Sequence, residues 1–204
     1  MREVILKMSV SIDGFVSGPA GEADWIFGSD EEPIKWGVQS ISGAGVHIMG
    51  SRTFRDMAAN WPTATGPFAA PMNEIPKVYF SRSGAAETTR ALVDAQAATA
   101  GSPPATDAAT ESWDNARVAT GDLREEIARL VNEPGGEIVA HGGAAFASSL
   151  VAEGLVNEYR LLTHPVALGR GLPIFAGASS RTPLELVDVI RFPGGAVAHV
   201  YRKK

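Results

Sequence analysis

The sequence predicts an α/β fold: a mostly parallel central sheet flanked by helices, with an antiparallel C-terminal hairpin. Three observations carry this. Short apolar runs alternate with helical segments through much of the chain. The first run, Glu3 to Val10, is nearly continuous in hydrophobicity, as a central strand buried on both faces must be. Near the end the alternation stops, and Leu184 to Arg191 and Ala196 to Arg202 follow one another through Pro193-Gly194-Gly195, a hairpin pattern.

The elements follow in order. The first strand stops at Asp13-Gly14, a turn dipeptide. Val46 to Met49 is a second strand ending at Gly50, with Ser51 or Thr53 expected to cap the helix after it. Lys77 to Phe80 is a third, bounded by Pro76 and Ser81-Arg82-Ser83-Gly84. Arg117 to Ala119 is a short strand. Leu123, Ile127, Leu130 and Val131 share one helix face, with Asp122 and Glu125 spaced as a capping pair. Pro134-Gly135-Gly136 ends that helix, and Glu137 to Ala140 is the next strand. His141-Gly142-Gly143 is a tight turn into a helix over 144–153, which Gly154 stops. Glu158 to His164 is a further strand.

Residues 84–112 differ. They lack aromatics, their only large aliphatics are Leu92 and Val93, and Pro103-Pro104 interrupts them. A stretch that buries so little apolar area does not offset its ordering entropy. The chain therefore reads as a single domain over 1–204 with a low-complexity surface insertion at about 85–111, holding at most a short Ala-rich helix around 86–98.

Composition excludes several functions. The chain has 204 residues, 45% of them hydrophobic and 20% charged, which is globular composition. The net charge of −5 argues against a nucleic-acid binder, which needs surplus Lys and Arg. The absence of cysteine excludes disulfides, zinc–thiolate sites and a Cys nucleophile. The N-terminal apolar run is broken by Lys7 and is too short for a signal peptide, and no apolar run is long enough to span a bilayer. A cytoplasmic protein without membrane partners is expected. The four histidines have no metal-ligand spacing, so no metal site is expected; His47 and His199 read as structural, and His141 is the one near the presumed site. No G-x-S-x-G elbow and no P-loop is present.

Three turns that follow strands carry the chemistry. Gly142-Gly143, leading into Ala144, puts a helix N-terminus beside backbone amides that an anion could reach, although a plain tight turn has the same pattern. Gly50 opens a second helix with Arg52 and Thr53 in its first turn. A cation there is unfavourable unless an anion neutralises it, the alternative being a solvated side chain. Ser81-Arg82 is the third, suited to a phosphate or an adenine face. In open α/β sheets ligands sit beyond the carboxyl ends of strands, and all three turns belong there. Together they point to a dinucleotide, and the two arginines favour NADPH over NADH. Asp13 is a candidate proton-handling residue, though a turn-former has the same signature. Ser11, Trp25 and Trp61 are candidate substrate contacts, and the two tryptophans equally suit a core.

Ile138 to Ala144, Leu150 to Glu158 and His164 to Phe175 closely resemble the reductase domain of riboflavin biosynthesis, the RibD C-terminal domain-like family of the dihydrofolate reductase-like superfamily. Ser11-Ile12-Asp13-Gly14 and Asp24-Trp25-Ile26 resemble its first-strand motif and the loop after it, while Gly50 to Phe54 and Ser81-Arg82-Ser83 look more like dihydrofolate reductase phosphate turns. The resemblance covers the chain outside about 85–111. It implies a dihydrofolate reductase-like fold, a homodimer, and NADPH-dependent hydride transfer to a small heterocyclic or ribosylamine substrate, as in 5-amino-6-(5-phosphoribosylamino)uracil reductase. It places Gly142-Gly143 at the pyrophosphate and nicotinamide, Arg52-Thr53 and Ser81-Arg82 at the adenosine phosphates, and Asp13 near substrate and nicotinamide. Two departures stand out. Ser51 stands where the dihydrofolate branch usually has Arg, and Asp56 to Pro62 lacks the acidic, proline-containing motif that holds the substrate's sugar phosphate in riboflavin reductases. A stand-alone dihydrofolate or pteridine reductase-like enzyme and a non-catalytic nucleotide-binding module remain the alternatives.

Overall fold

The apolar run at the N-terminus forms β1 (Val4–Ser11), which lies between two parallel neighbours inside the sheet. The structure, a computed structural model, describes residues 1–26, 28, 30–82, 107–178 and 181–204. After β1 come β2 (Phe15–Ser17), a 3-10 turn at Asp24–Ile26, α1 (Glu31–Ser42), β3 (Ala44–Gly50), α2 (Ser51–Asn60), a second such turn at Trp61–Thr63, α3 (Ala69–Glu74) and β4 (Lys77–Phe80). Then follow α4 (Asp107–Asp114), β5 (Arg117–Ala119), α5 (Leu123–Asn132), β6 (Glu137–Ala140), α6 (Ala144–Ala152), β7 (Glu158–His164), β8 (Leu172–Pro173), β9 (Leu184–Arg191) and β10 (Val197–Lys203).

The main sheet has the order β5-β4-β3-β6-β1-β7-β10-β9. Every pairing from β5 to β7 is parallel, and β10 pairs antiparallel with both β7 and β9. This is the expected α/β architecture. β2 and β8 form a separate two-stranded ribbon.

Alternation along β1 builds two cores. Val4, Leu6, Met8 and Val10 pack with Ile127 and Leu130 of α5 and Phe146 and Leu150 of α6. Ile5 joins the opposite side with Ile41 of α1, Phe54 of α2, Met72 of α3 and Trp113 of α4. A central strand with helices on both sides needs apolar residues at almost every position, and so it reads as a continuous run.

The sequence pattern did not reveal α1 or α3. Most of the low-complexity stretch, including the segment read as an Ala-rich helix, lies outside the described residues; its last residues belong to α4. Trp113 anchors that helix: it is 1% exposed and donates from Nε1 to Asn73 Oδ1 at 2.8 Å.

At the amino edge of the sheet a charged network ties three strands together. Arg160 donates to Glu158 at 2.7 Å, to Glu137 at 2.7 and 2.8 Å and to the Ser40 carbonyl of α1 at 2.6 Å. Arg202 completes Glu158 at 2.8 Å. The Glu158 side chain is only 4% exposed and that of Arg160 16%. Removing one member of such a network strands the other's charge, which costs about 3–5 kcal/mol. Arg160→Leu should therefore lower the urea unfolding free energy by about that amount; a change below about 1 kcal/mol would show that the network contributes little.

Candidate functional site

β4, β3 and β6 are adjacent and parallel, so their carboxyl ends share one edge. Gly50 pairs with Phe80, and Ile48 with Ala140. Neighbouring strands lie about 4.8 Å apart, which places the three following turns within roughly 10 Å along the edge. The turns after β3 and β6 touch. The Gly50 N–H donates to the Gly142 carbonyl at 3.2 Å, and the Gly143 N–H donates to Thr53 Oγ1 at 2.5 Å. The peptide between Gly142 and Gly143 is cis. Side chains would not fit this contact. A Cβ on Gly142 would lie 2.8 Å from Met8 Sδ, one on Gly143 would lie 2.9 Å from Thr53 Oγ1, and Gly142 has φ +86°.

The two helices that start here share a second property. α2 begins at Gly50 and α6 at Gly143, and neither N-cap supplies a side-chain acceptor. α5 shows the contrast: the Asp122 carboxylate accepts from the Arg124 and Glu125 amides, as its sequence predicts. The expectation that Ser51 or Thr53 caps α2 is corrected. Ser51 is the first helical residue, and the Thr53 hydroxyl serves Gly143. Two helix N-termini without side-chain caps thus meet at one glycine contact, a geometry that favours an anion. Arg52 is exposed in the first turn of α2, and Ala144 is the first residue of α6. After β4, Ser81 is buried with its N–H on the Ala119 carbonyl, and Arg82 is exposed. The rim therefore carries Gly50, Arg52, Thr53, Ser81, Arg82, Gly142, Gly143 and Ala144. Ser83 lies outside the described residues.

Asp13 has a different setting from the one its position in sequence suggests. Its carboxylate accepts from Ser11 Oγ at 2.6 Å, from the Gly169 amide at 2.7 Å and from the Leu168 amide at 3.1 Å. These donors, the Ser11 hydroxyl foremost, hold its pKa below the usual carboxylate range. Asp13 is thus an ionised acceptor that fixes the loop between β7 and β8 to the end of β1. Ser11, 1% exposed, also accepts from the Phe15 amide at 3.0 Å, so its hydroxyl belongs to the turn.

The face of β1 opposite α5 and α6 shows what the sequence reading missed. Lys7 and Ser9 project there in register with Arg160 and Leu162 of β7. Among the described residues the Lys7 ammonium has no hydrogen bond and no ion pair; its recorded neighbour is the Phe68 ring, 5.8 Å from Nζ to centroid. Burial pushes its pKa down to about 8. Ser9 Oγ meets His164 Nε2 at 3.1 Å, and Trp25 stands edge-on to His164 at 5.4 Å with its Nε1 buried and unpartnered among the described residues. His141 packs edge-on against His47 at 4.4 Å. Burial holds both imidazoles neutral, His47 down to about 3 and His141 well below the ordinary histidine value. Trp61 lies 6.1 Å from Phe68, and its carbonyl accepts from Asn73. His164 therefore joins His141 on this face, where the sequence pointed to His141 alone. One signal for Lys7 was available: a lone cation inside an otherwise apolar central strand. No group of three or more His, Asp or Glu residues suited to a metal occurs among the described residues, and none of their helices is long and apolar enough to cross a membrane.

Known proteins are similar to this chain along its whole length. Two curated relatives from Bacillus subtilis strain 168 are uncharacterized: YyaP is 28% identical over 98% of this chain and 94% of its own length, and YwjB 23% identical over 98% of each. Among solved structures, a putative riboflavin biosynthesis protein from Shewanella sp. PV-4 superposes with a TM-score of 0.67 at 17% identity, covering 99% of both chains. A pyrimidine reductase-like protein from Corynebacterium diphtheriae gives 0.67 at 16% identity over 100% of this chain and 92% of that one. The Thermotoga maritima diaminohydroxyphosphoribosylaminopyrimidine deaminase/5-amino-6-(5-phosphoribosylamino)uracil reductase gives 0.66 at 16% identity, with this chain spanning 57% of it. These likenesses establish a common fold. Matched over residues 2–198, the chain belongs to the RibD C-terminal domain family.

Proposed function

We propose that this chain is an NADPH-dependent reductase acting on a small heterocyclic or ribosylamine substrate, in the manner of 5-amino-6-(5-phosphoribosylamino)uracil reductase. The observation that supports it best is the glycine contact joining two helix N-termini that lack side-chain caps, on one edge of a parallel sheet. The first-turn amides of α2 and α6, next to that contact, fit a diphosphate. Arg52 and Arg82, both exposed on the same rim, fit the additional phosphate of NADPH. When bound, the dinucleotide supplies a hydride.

The chain's own residues position the reactants and manage charge. Lys7, rather than Asp13, is the group proposed to handle the proton. Its ammonium has no counter-ion among the described residues and offsets the negative charge that develops on the substrate as hydride adds. It then passes a proton from Nζ to the atom bearing that charge, and solvent restores it. Asp13, already ionised and triply hydrogen-bonded, holds the Leu168–Gly169 loop beside the end of β1. Trp25 and Trp61 wall the substrate side, and Ser9 replaces Ser11 as the hydroxyl on that face. The reading includes a homodimer through the edge strand β9, where Leu186, Val187 and Val189 are 51%, 52% and 52% exposed.

Fluorescence titration tests cofactor binding first. Arg52→Gln and Arg82→Gln should each weaken NADPH about tenfold, the size of one charge-assisted hydrogen bond, and leave NADH nearly unchanged. Equal losses for both cofactors would overturn the assignment of the extra phosphate. NADPH oxidation with phosphoribosyl-pyrimidines and pteridines tests turnover, and binding without oxidation of any of them would favour a nucleotide-binding module. Because Lys7 is charged below a pKa of about 8, kcat/KM should fall as pH rises through that value. Lys7→Met should abolish that limb, and a limb that survives the substitution would assign the proton to another group.

A further inference from the structure

We propose that Asn73 is a positioning residue of the substrate side: its side-chain amide ties the Trp61–Thr63 turn to α4 and so sets the aromatic pair Trp61 and Phe68. The functional role rests on the reductase reading, in which Trp61 walls the substrate; the tie itself does not.

Asn73, half-buried in α3, uses both ends of its side-chain amide. Its Oδ1 accepts from Trp113 Nε1 at 2.8 Å, and its Nδ2 donates to the Trp61 carbonyl at 2.9 Å. An indole N–H only donates and a carbonyl only accepts, so the two partners fix which way the amide points. The Trp61 carbonyl also accepts from the Ala64 amide at 3.0 Å, which closes the turn and engages both of its lone pairs. Asparagine is the side chain this junction requires. Aspartate would set a carboxylate oxygen against a carbonyl, and an aliphatic residue would leave both partners unpaired.

The far side of the junction is anchored. The Asn73 carbonyl accepts from Ser112 Oγ at 2.5 Å, and Ser112 Oγ accepts in turn from Lys77 Nζ at 2.6 Å. The same ammonium donates to the Ile75 carbonyl at 2.6 Å and lies 4.4 Å from the centroid of the Trp113 ring. Lys77 is 2% exposed and Trp113 1%. A buried polar network whose members are all paired holds one geometry. α4 is thereby a fixed post on the sheet, and Asn73 ties the Trp61 turn to it.

The near side faces the site. Trp61 stands 6.1 Å from the Phe68 ring, and that ring is 5.8 Å from Lys7 Nζ. Phe68 is seated in a notch of α1, where a Cβ on Gly37 would lie 2.7 Å from its Cζ. α1 thus bounds Phe68 on one side and Trp61 on another, so a shift of the turn changes the aromatic wall. Asn73 has no hydrogen bond to Lys7 or to the glycine rim among the described residues, and it acts through Trp61.

The test uses the full chain labelled with 5-fluorotryptophan, which marks Trp25, Trp36, Trp61 and Trp113. The fluorine resonance lost in Trp61→Phe is that of Trp61. Asn73→Asp should shift or broaden it and leave that of Trp25 in place. Trp113→Phe, which removes the donor on Oδ1, should act in the same direction and serves if Asn73→Asp does not fold. Ile127→Val, in the core on the opposite sheet face, is the stability control: it should lower the urea midpoint without moving the Trp61 resonance. In NADPH oxidation, Asn73→Asp should raise KM for the substrate that is reduced about fivefold, the size of one hydrogen bond, with kcat and the NADPH dissociation constant unchanged. A Trp61 resonance that ignores both variants, or that moves as far in Ile127→Val, would overturn the proposal, as would an unchanged KM. Reduction of no substrate would count against the reductase reading alone, and the fluorine spectrum would still decide whether Asn73 sets the turn.

Discussion

The contact between the ends of β3 and β6 governs the rest of the molecule. Two backbone turns approach until the Gly50 amide reaches the Gly142 carbonyl and the Gly143 amide reaches the Thr53 hydroxyl. At Gly142 and Gly143 a Cβ would crowd Met8 and Thr53, and at Gly50 it would press on Phe146. Two of these glycines, Gly50 and Gly143, serve as N-caps of α2 and α6 and contribute no side-chain acceptor. Close packing and helix ends open to an anion are therefore one feature of the sequence, not two. A capping serine or aspartate at either position would satisfy the amides internally and remove the attraction for a ligand.

The second organising constraint is the separation of charge across the sheet. In parallel strands every amino end lies on one edge and every carboxyl end on the other. Glu137 and Glu158 open their strands and meet Arg160 and Arg202 at the amino edge. Lys7, further along β1, is out of reach of these carboxylates and retains its charge in partial burial. A charge-paired structural network and the ammonium of Lys7, which has no ion pair among the described residues, thus share one sheet face. The overall negative charge of the chain says nothing about this local sign.

Family membership and fold agree along nearly the full length of the chain, while sequence identity to the solved relatives stays between 16% and 20%. What persists at such distance is the arrangement of strands and the whole-chain alignment. Side chains facing the cleft are less constrained by packing and are the place where specificity can differ.

The strands of the main sheet, the helix capped by Asp122 and the glycine turns were legible in the sequence because each is a short-range pattern: a run, a period or a breaker within a few residues; the short strands β2 and β8 were not. α1 and α3 were not, since they interrupt no such pattern strongly and are stabilised by the sheet they cover. Tertiary structure alone decided the chemistry of the charged residues. Asp13 reads in sequence as a proton-handling candidate or a turn-former, and the fold brings Leu168 and Gly169, 155 and 156 positions away, onto its carboxylate. Lys7 looked like a break in an apolar run until the fold set it over the Phe68 ring and near His141 and His164. Whether an ionisable group is free or engaged depends on what distant chain segments bring to it, and local sequence carries no record of that.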